Sequence, residues 1–159
     1  MAGGFTHLNA QGEAHMVDVS AKPESARWAT AEGVIAMGDD ARRAVREQSI
    51  AKGDVLAVAR VAGIMAAKRT AELVPLCHTL ALHQVELTLV DDASAGGIRA
   101  TATARTTGRT GVELEALTAV SVALLTVYDM VKSVDRGMTI GGVRLLEKGG
   151  GRSGTWRAP

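Results

Sequence analysis

Two stretches of the chain decide its fold, HQVELTLV over residues 83–90 and IRATATAR over residues 98–105. Apolar and polar residues alternate in both with a period of two, which is the pattern of a β-strand with one buried face. The link over residues 91–97 is rich in Asp and Gly and predicts a turn, so the two strands form an antiparallel hairpin. Such a hairpin needs a second layer of structure to cover its apolar face.

The segments on either side of the hairpin supply that layer and the rest of the sheet. Asp54 is a predicted N-cap, and Pro75 is the predicted stop of the helix that follows Asp54. The order β-α-α-β-β-α-β predicts an α+β fold of the ferredoxin-like type, with helices packed on one face of an antiparallel sheet. The other predicted elements are strands over residues 34–37 and 140–146 and helices over residues 41–50, 55–74 and 112–134.

Composition excludes several classes of protein. With 159 residues, 47% of them hydrophobic and 22% charged, the chain is predicted to be one globular domain over residues 1–159 rather than a disordered polypeptide. Eighteen basic residues against 17 acidic residues give a formal charge of +1, which disfavours a protein that coats nucleic acid. The four aromatic residues are too few for a platform that stacks bases.

Three features predict the compartment. Cys77 is the only cysteine, so no intrachain disulfide can form and a reducing compartment is expected. The first residues lack the basic and apolar regions of a signal peptide. The longest charge-free apolar run, residues 116–128, is too short to cross a bilayer. We therefore expect a cytoplasmic protein with no membrane contact.

The chain ends and the longest helix differ sharply in character. Residues 1–16 are polar and aperiodic and predict a flexible arm, while residues 149–159 hold four glycines and predict a loose tail. In the longest helical pattern, 14 of the 20 residues over 112–131 are apolar. A helix that is apolar nearly all round needs burial on several sides, and one sheet covers only one of them. We therefore expect the chain to form an oligomer.

Polar residues in apolar helices are candidates for chemistry, because burying them costs free energy unless they have a partner. Asp129 and Lys132 lie three residues apart near the end of the last helix, close enough to pair. Spacing alone favours a structural ion pair there and leaves an acid/base couple as the alternative. Glu113 and Glu115 stand in the first turn of the same helix, where acidic residues favour the helix dipole.

The histidines and the cysteine point to no metal or nucleophile. Cys77 and His78 are adjacent, which prevents the mutual hydrogen bond of a nucleophilic Cys–His pair. A hydrogen-bonding or acid/base role for His78 stays open, and the histidines lack a zinc-binding spacing, so no metal site is predicted. The run KGGGRSG over residues 148–154 offers N–H groups and basic side chains to a phosphate, although such a run alone is more often an unstructured tail.

Five motifs together resemble the cyclic pyranopterin monophosphate synthase family. They are MVDVS at residues 16–20, LVPLCH at 73–78, GVELEAL at 111–117, YDMVKSV at 128–134 and KGGGRSG at 148–154. The resemblance covers essentially residues 5–155, in order and with few gaps. Two departures are Leu114, where the family commonly has Met, and Thr79, where Pro commonly follows the histidine. They bear on fine substrate contacts, and neither removes an ionisable group.

The resemblance implies a lyase reaction in molybdenum cofactor (molybdopterin) biosynthesis. A radical SAM GTP cyclase supplies the substrate, (8S)-3′,8-cyclo-7,8-dihydroguanosine 5′-triphosphate. The lyase rearranges that nucleotide to cyclic pyranopterin monophosphate and releases diphosphate. No redox change separates the two species, so no cofactor is implied, and Mg²⁺ on the triphosphate is left open. The resemblance also implies a cytoplasmic homohexamer made of three dimers.

The resemblance also implies a role for each matching residue. Asp129 and Lys132 are the implied catalytic residues, since a carboxylate and an ammonium in contact can hold opposite protonation states as an acid/base couple. Positive charge for the departing diphosphate is expected from Lys52, Lys148 and Arg152. Substrate-contacting positions are matched by Leu76, Cys77, His78, Leu114 and Glu115, and other active-site positions by Lys52, Glu113 and Lys148.

Two other classes of function remain as alternatives, an inactive binding subunit that keeps the pocket and a phosphate-binding regulatory module. Loss of Asp129, Lys132 or His78 would indicate the first, and all three are present. The second would not require the Asp–Lys pair. The enzyme hypothesis predicts a composite site between two subunits, because the 14 residues from Glu115 to Asp129 span roughly 21 Å of helix at 1.5 Å per residue.

Overall fold

The computed structural model describes residue 8, residues 11–152 and residues 154–159 of the chain. The predicted arm over residues 1–16 falls mostly outside this description, and within it Leu8 and Ala14 form an isolated antiparallel bridge. The elements in chain order are β1 (Ser25–Ala36), α1 (Asp39–Arg46), α2 (Val55–Ala67), α3 (Thr70–Leu73), β2 (Gln84–Asp92), β3 (Gly97–Gly108), α4 (Glu113–Val131), β4 (Thr139–Gly149) and β5 (Trp156–Arg157).

The strands form one antiparallel sheet in the order β2-β3-β1-β4-β5. The hairpin predicted from the two alternating stretches is confirmed: β2 and β3 pair from Gln84 opposite Arg105 to Asp92 opposite Gly97. β1 lies between β3 and β4, so the first and last of the four long strands are neighbours at the centre of the sheet. This topology confirms the predicted α+β, ferredoxin-like fold.

The helices cover one face of the sheet because alternate strand residues are small and apolar. In β1, Ala29, Ala31 and Ile35 are fully buried. Helix α4 packs on β1, β3 and β4, and α2 packs against both α4 and β2. The two helices approach closely at Gly63, where an added Cβ would lie 2.7 Å from the Ala119 carbonyl oxygen. Only glycine fits this contact without displacing the helices.

Helix α4 is the core helix of the molecule. By length and composition alone it is apolar enough to cross a membrane, but half of it is buried within the protein. The expectation that one sheet leaves its other side bare is wrong in part, because α2 covers a second side. Leu125 remains 57% exposed on α4, and Val58, Val61 and Met65 are exposed on α2.

Several predicted boundaries differ from the observed ones. β1 begins at Ser25 rather than at residue 34, because pairing with β3 and β4 stabilises an Ala- and Gly-containing segment of low intrinsic strand propensity. The helix predicted over residues 55–74 is broken in two. Thr70 is buried there and its hydroxyl donates a 3.0 Å hydrogen bond to the Ala67 carbonyl, which ends α2.

The C-terminal segment is also more ordered than predicted. Within the predicted loose tail over residues 149–159, Trp156 and Arg157 form β5 and pair with Lys148 and Glu147 of β4. Gly149, also in that segment, lies at the end of β4 opposite Trp28, and an added Cβ there would lie 2.4 Å from the indole nitrogen. The tail therefore folds back along the edge of the sheet and holds the glycine run near β1.

Candidate active site

Three of the predicted site residues form a cluster at the C-terminal end of α4, called here the lysine–aspartate cluster (Lys52, Asp129 and Lys132). Lys132 Nζ lies 2.6 Å from Asp129 Oδ1, so the contact predicted from their spacing is confirmed. Lys52, in the turn before α2, places its Nζ 2.8 Å from Asp129 Oδ2 and 2.8 Å from the Asp129 carbonyl oxygen. Each carboxylate oxygen therefore has its own ammonium partner.

The two lysines control the charge of Asp129. Hydrogen bonds and attraction from Lys132, followed by those from Lys52, lower the pKa of the Asp129 carboxyl to about 2. All three side chains are about half exposed. Ion pairs this exposed contribute little to folding stability, so a purely structural role explains the cluster poorly. At neutral pH Asp129 is ionised, and it is a weak base while both lysines hold it.

The other predicted site residues gather at the N-terminal end of α4, around a cleft of about 300 Å³. One wall is the loop after α3, a second is the first turn of α4, and a third is residues 17–22, which precede β1. This is called the first cleft. The predicted residues lining it are Leu76, Cys77, His78, Glu113, Leu114 and Glu115.

Glu115 is the one charged side chain that is buried among the described residues, at 3% exposure. Burial is the main cause that raises the pKa of its carboxyl. The Cys77 thiol lies 3.8 Å from Glu115 Oε1. Burial and the neighbouring Glu115 raise the pKa of Cys77 to about 11, so this thiol is no nucleophile at neutral pH. Glu115 is thus better suited to donate a proton than Asp129 is.

Glu113 is positioned by a glycine and a lysine. Lys148 Nζ donates a 2.6 Å hydrogen bond to Glu113 Oε1, which joins the end of β4 to the start of α4. The carboxylate folds back over Gly111, where an added Cβ would lie 1.9 Å from Glu113 Oε2. Any side chain at position 111 would therefore displace Glu113.

A second cleft of about 530 Å³ adjoins the first and shares four lining residues with it, Lys22, Thr110, Gly111 and Glu113. Five basic side chains line it, and such a concentration of positive charge suits a phosphate ligand. Ser25 also lines the cleft, and its hydroxyl is buried and has no hydrogen-bond partner within the part of the chain that the structure describes. The basic side chains are Lys22, Arg27, Arg109, Lys148 and Arg152.

Sequence reasoning identified Lys148 and Arg152 but missed Lys22, Arg27 and Arg109. Arg27 and Arg109 are 82 residues apart, and the register of β1 against β3 brings their segments together. There the Arg27 Nε donates a 2.9 Å hydrogen bond to the Gly108 carbonyl. Lys22 follows the MVDVS motif, which was the available signal for that part of the chain.

The structure separates the predicted site residues into two groups. Helix α4 is continuous from Glu113 to Val131, so Glu115 and Asp129 stand roughly 21 Å apart along it. Lys52 and Lys148, which were expected to share one leaving group, lie near opposite ends of this helix. Among the described residues, no three His, Cys, Asp or Glu side chains are grouped in a way that could hold a metal ion.

Comparisons with known proteins agree in pointing to one family. The model of the MoaC family matches residues 16–151. A cyclic pyranopterin monophosphate synthase of Methylobacterium sp. is 61% identical over 97% of this chain and 96% of its own length. The enzyme of the same name from Thermomicrobium roseum is 59% identical over 96% and 92%. The one from Cereibacter sphaeroides is 56% identical over 98% of each.

Proposed function

The chain belongs to the MoaC family, and on that premise we propose that it is a cyclic pyranopterin monophosphate synthase acting in molybdenum cofactor biosynthesis. This lyase converts (8S)-3′,8-cyclo-7,8-dihydroguanosine 5′-triphosphate to cyclic pyranopterin monophosphate and diphosphate. The observation that carries the proposal is the identity of 56–61% with synthases along nearly the whole chain. The charged residues of both groups at α4 suit the acid/base and phosphate chemistry that this reaction needs.

The phosphate part of the reaction is assigned to the second cleft and to the two lysines of the lysine–aspartate cluster. Forming a cyclic phosphate with loss of diphosphate builds negative charge on the leaving group, and nearby cations stabilise that charge. The second cleft supplies this positive charge through its basic side chains, Lys148, Arg152, Lys22, Arg27 and Arg109.

The ring rearrangement opens the five-membered ring of guanine and closes a pyrazine ring, which requires proton transfers at nitrogen and oxygen. Glu115, whose pKa is raised by burial, supplies a proton. Asp129 becomes a useful base when Lys52 and Lys132 turn from it to the phosphates, because its pKa then returns towards the ordinary value. Binding of the triphosphate thereby switches on the catalytic base.

This division of labour requires a composite site. A single nucleotide is too small to reach both ends of α4 in one subunit. In a two-fold dimer with antiparallel α4 helices, the N-terminal end of one helix meets the lysine–aspartate cluster of its partner. The exposed apolar side chains Val58, Val61, Met65 and Leu125 support burial of this helical face against a second copy.

The wider setting is also part of the proposal. Three dimers assemble into the homohexamer, the protein works in the cytoplasm, and a radical SAM GTP cyclase supplies the substrate. Substrate and product do not differ in oxidation state, so the reaction needs no redox cofactor. The role proposed for Mg²⁺ is that of a counter-ion of the triphosphate. Turnover measured with added Mg²⁺ and with EDTA decides that point.

The direct test is to incubate the purified protein with the cyclised nucleotide and to measure diphosphate and pterin. Release of both in equal amounts is expected. Tight binding with no diphosphate would instead indicate the inactive binding subunit.

Subunit mixing tests the composite site. Glu115→Ala and Asp129→Ala are each expected to be inactive. After proven subunit exchange, half of the dimers are mixed and each holds one intact site. Activity should therefore return to about a quarter of the wild-type value. No recovery would mean that one chain supplies both groups.

A further inference from the structure

The MVDVS motif at residues 16–20 has no role in the reaction described above. We propose that residues 16–22 form a strap over the first cleft and that His78 holds this strap in place. His78 then acts as a positioning residue in addition to any contact with substrate. The inference rests on the proposed function only in taking the first cleft to be the substrate cleft.

The strap presents one edge to the cleft. Val17 and Val19 are half-buried and line the first cleft, whereas Met16, Asp18 and Ser20 between and beside them are exposed. This alternation is that of an extended segment with one apolar edge. The two valines therefore line the cleft with apolar surface and reduce the access of water to it.

The latch is a single hydrogen bond between segments 61 residues apart. His78 Nε2 lies 2.7 Å from the carbonyl oxygen of Val17. A carbonyl only accepts hydrogen bonds, so Nε2 must carry the proton and donate it. The latch thus fixes the tautomer of His78 as well as the position of the strap.

Two short-range hydrogen bonds shape the strap beyond the latch. Asp18 Oδ1 accepts a 2.8 Å hydrogen bond from the Ser20 N–H, and the Lys22 N–H donates a 3.0 Å hydrogen bond to the Val19 carbonyl. These turns bring Lys22 to the wall that the first and second clefts share. Latching at His78 therefore also places a cation between the two parts of the substrate.

Hydrogen exchange of the free protein tests the latch without substrate. The side-chain nitrogen of Gln reaches about as far as His Nε2, whereas that of Asn reaches only as far as Nδ1. Exchange at the Ser20 and Lys22 amides should rise roughly 2- to 12-fold in His78→Leu and His78→Asn, the range of one hydrogen bond. His78→Gln should restore the wild-type rate. Equal exchange in all four proteins, or no rescue by Gln, would overturn the proposal.

A second pair of variants tests the strap away from His78 and guards against misfolding of the His78 variants. Asp18→Ala removes the acceptor for the Ser20 N–H, whereas Asp18→Asn keeps an oxygen in its place. We expect the KM of Asp18→Ala to exceed that of Asp18→Asn by roughly 2- to 12-fold, with kcat values within twofold. Equal KM values would exclude a role of the strap in binding. Failure of the proposed function would appear separately, as absence of turnover in the wild type.

Discussion

The two ends of α4 carry carboxylates of opposite character. Glu115, at the first turn, is buried beside a thiol, and burial raises its pKa. Asp129, in the last turn, is half exposed between two ammonium groups, which lower its pKa to about 2. One helix thus presents a group suited to donate a proton and another that stays ionised. Environment, rather than residue type, assigns the two roles.

The largest effect is expected from removing the charge at the exposed end. Asp129→Asn should reduce kcat by roughly 10²- to 10⁴-fold, the usual contribution of a general acid or base. Diphosphate release under saturating substrate measures this. Asp39→Asn, a change at a fully solvated carboxylate in α1, serves as the control. A loss below tenfold would remove Asp129 from the proton-transfer steps.

A smaller effect is expected at the other end from Lys148→Ala, which removes a cation of the second cleft and the partner of Glu113. KM should rise roughly tenfold or more, because one charge-assisted hydrogen bond contributes about 1.5–3 kcal/mol. Rising salt should weaken wild-type binding in the same direction through screening. Lys68→Ala, at an exposed position after α2, is the matched control. If neither added salt nor Lys148→Ala weakens substrate binding, a phosphate-binding role of the second cleft is contradicted.

The stability of the folded protein should rise when the buried carboxylate of Glu115 loses its charge. Because the folded-state pKa of Glu115 is raised, the folded protein binds this proton more tightly and loses stability as pH rises above the unfolded-state value. Glu115→Gln should therefore stabilise the protein at neutral pH, because the neutral amide avoids burial of a charge, and it should flatten the stability profile above pH 4.5. Thermal unfolding measures both. Glu86→Gln, at an exposed site on β2, should change neither.

The smallest effect is expected for stability at the exposed end. The pKa of Asp129 is depressed, so its contribution is present at neutral pH and is lost as pH falls from about 4 towards 2. Asp129→Asn should remove this acid limb and leave unfolding at pH 7 nearly unchanged, since exposed ion pairs contribute little. Large destabilisation at pH 7 would revive the structural ion-pair interpretation that spacing alone favoured.

Local pattern predicted the hairpin, the core helix and the Asp129–Lys132 contact, because these depend on residues close together in the chain. Most of β1, residues 25–33, and the strand β5 were missed, since their residues gain strand structure only by pairing with distant segments. The separation of the site into two groups followed from the length of one helix. The cations Lys22, Arg27 and Arg109 did not follow from sequence, because only the register of β1 and β3 and the course of the strap place them together.

The close approach of α2 and α4 at Gly63 limits how far the charged groups at the ends of the two helices can shift relative to each other. Lys52 lies just before α2, and Asp129 lies in the last turn of α4, so the 2.8 Å contact between them reports how the two helices are seated. A Cβ at position 63 would wedge against Leu87 as well as Ala119 and push the helices apart. A change in the middle of the core, at a residue that lines neither cleft, would then loosen the charge pairing at the helix end. The apolar packing between α2 and α4 thus determines the alignment of the charged groups at the helix end.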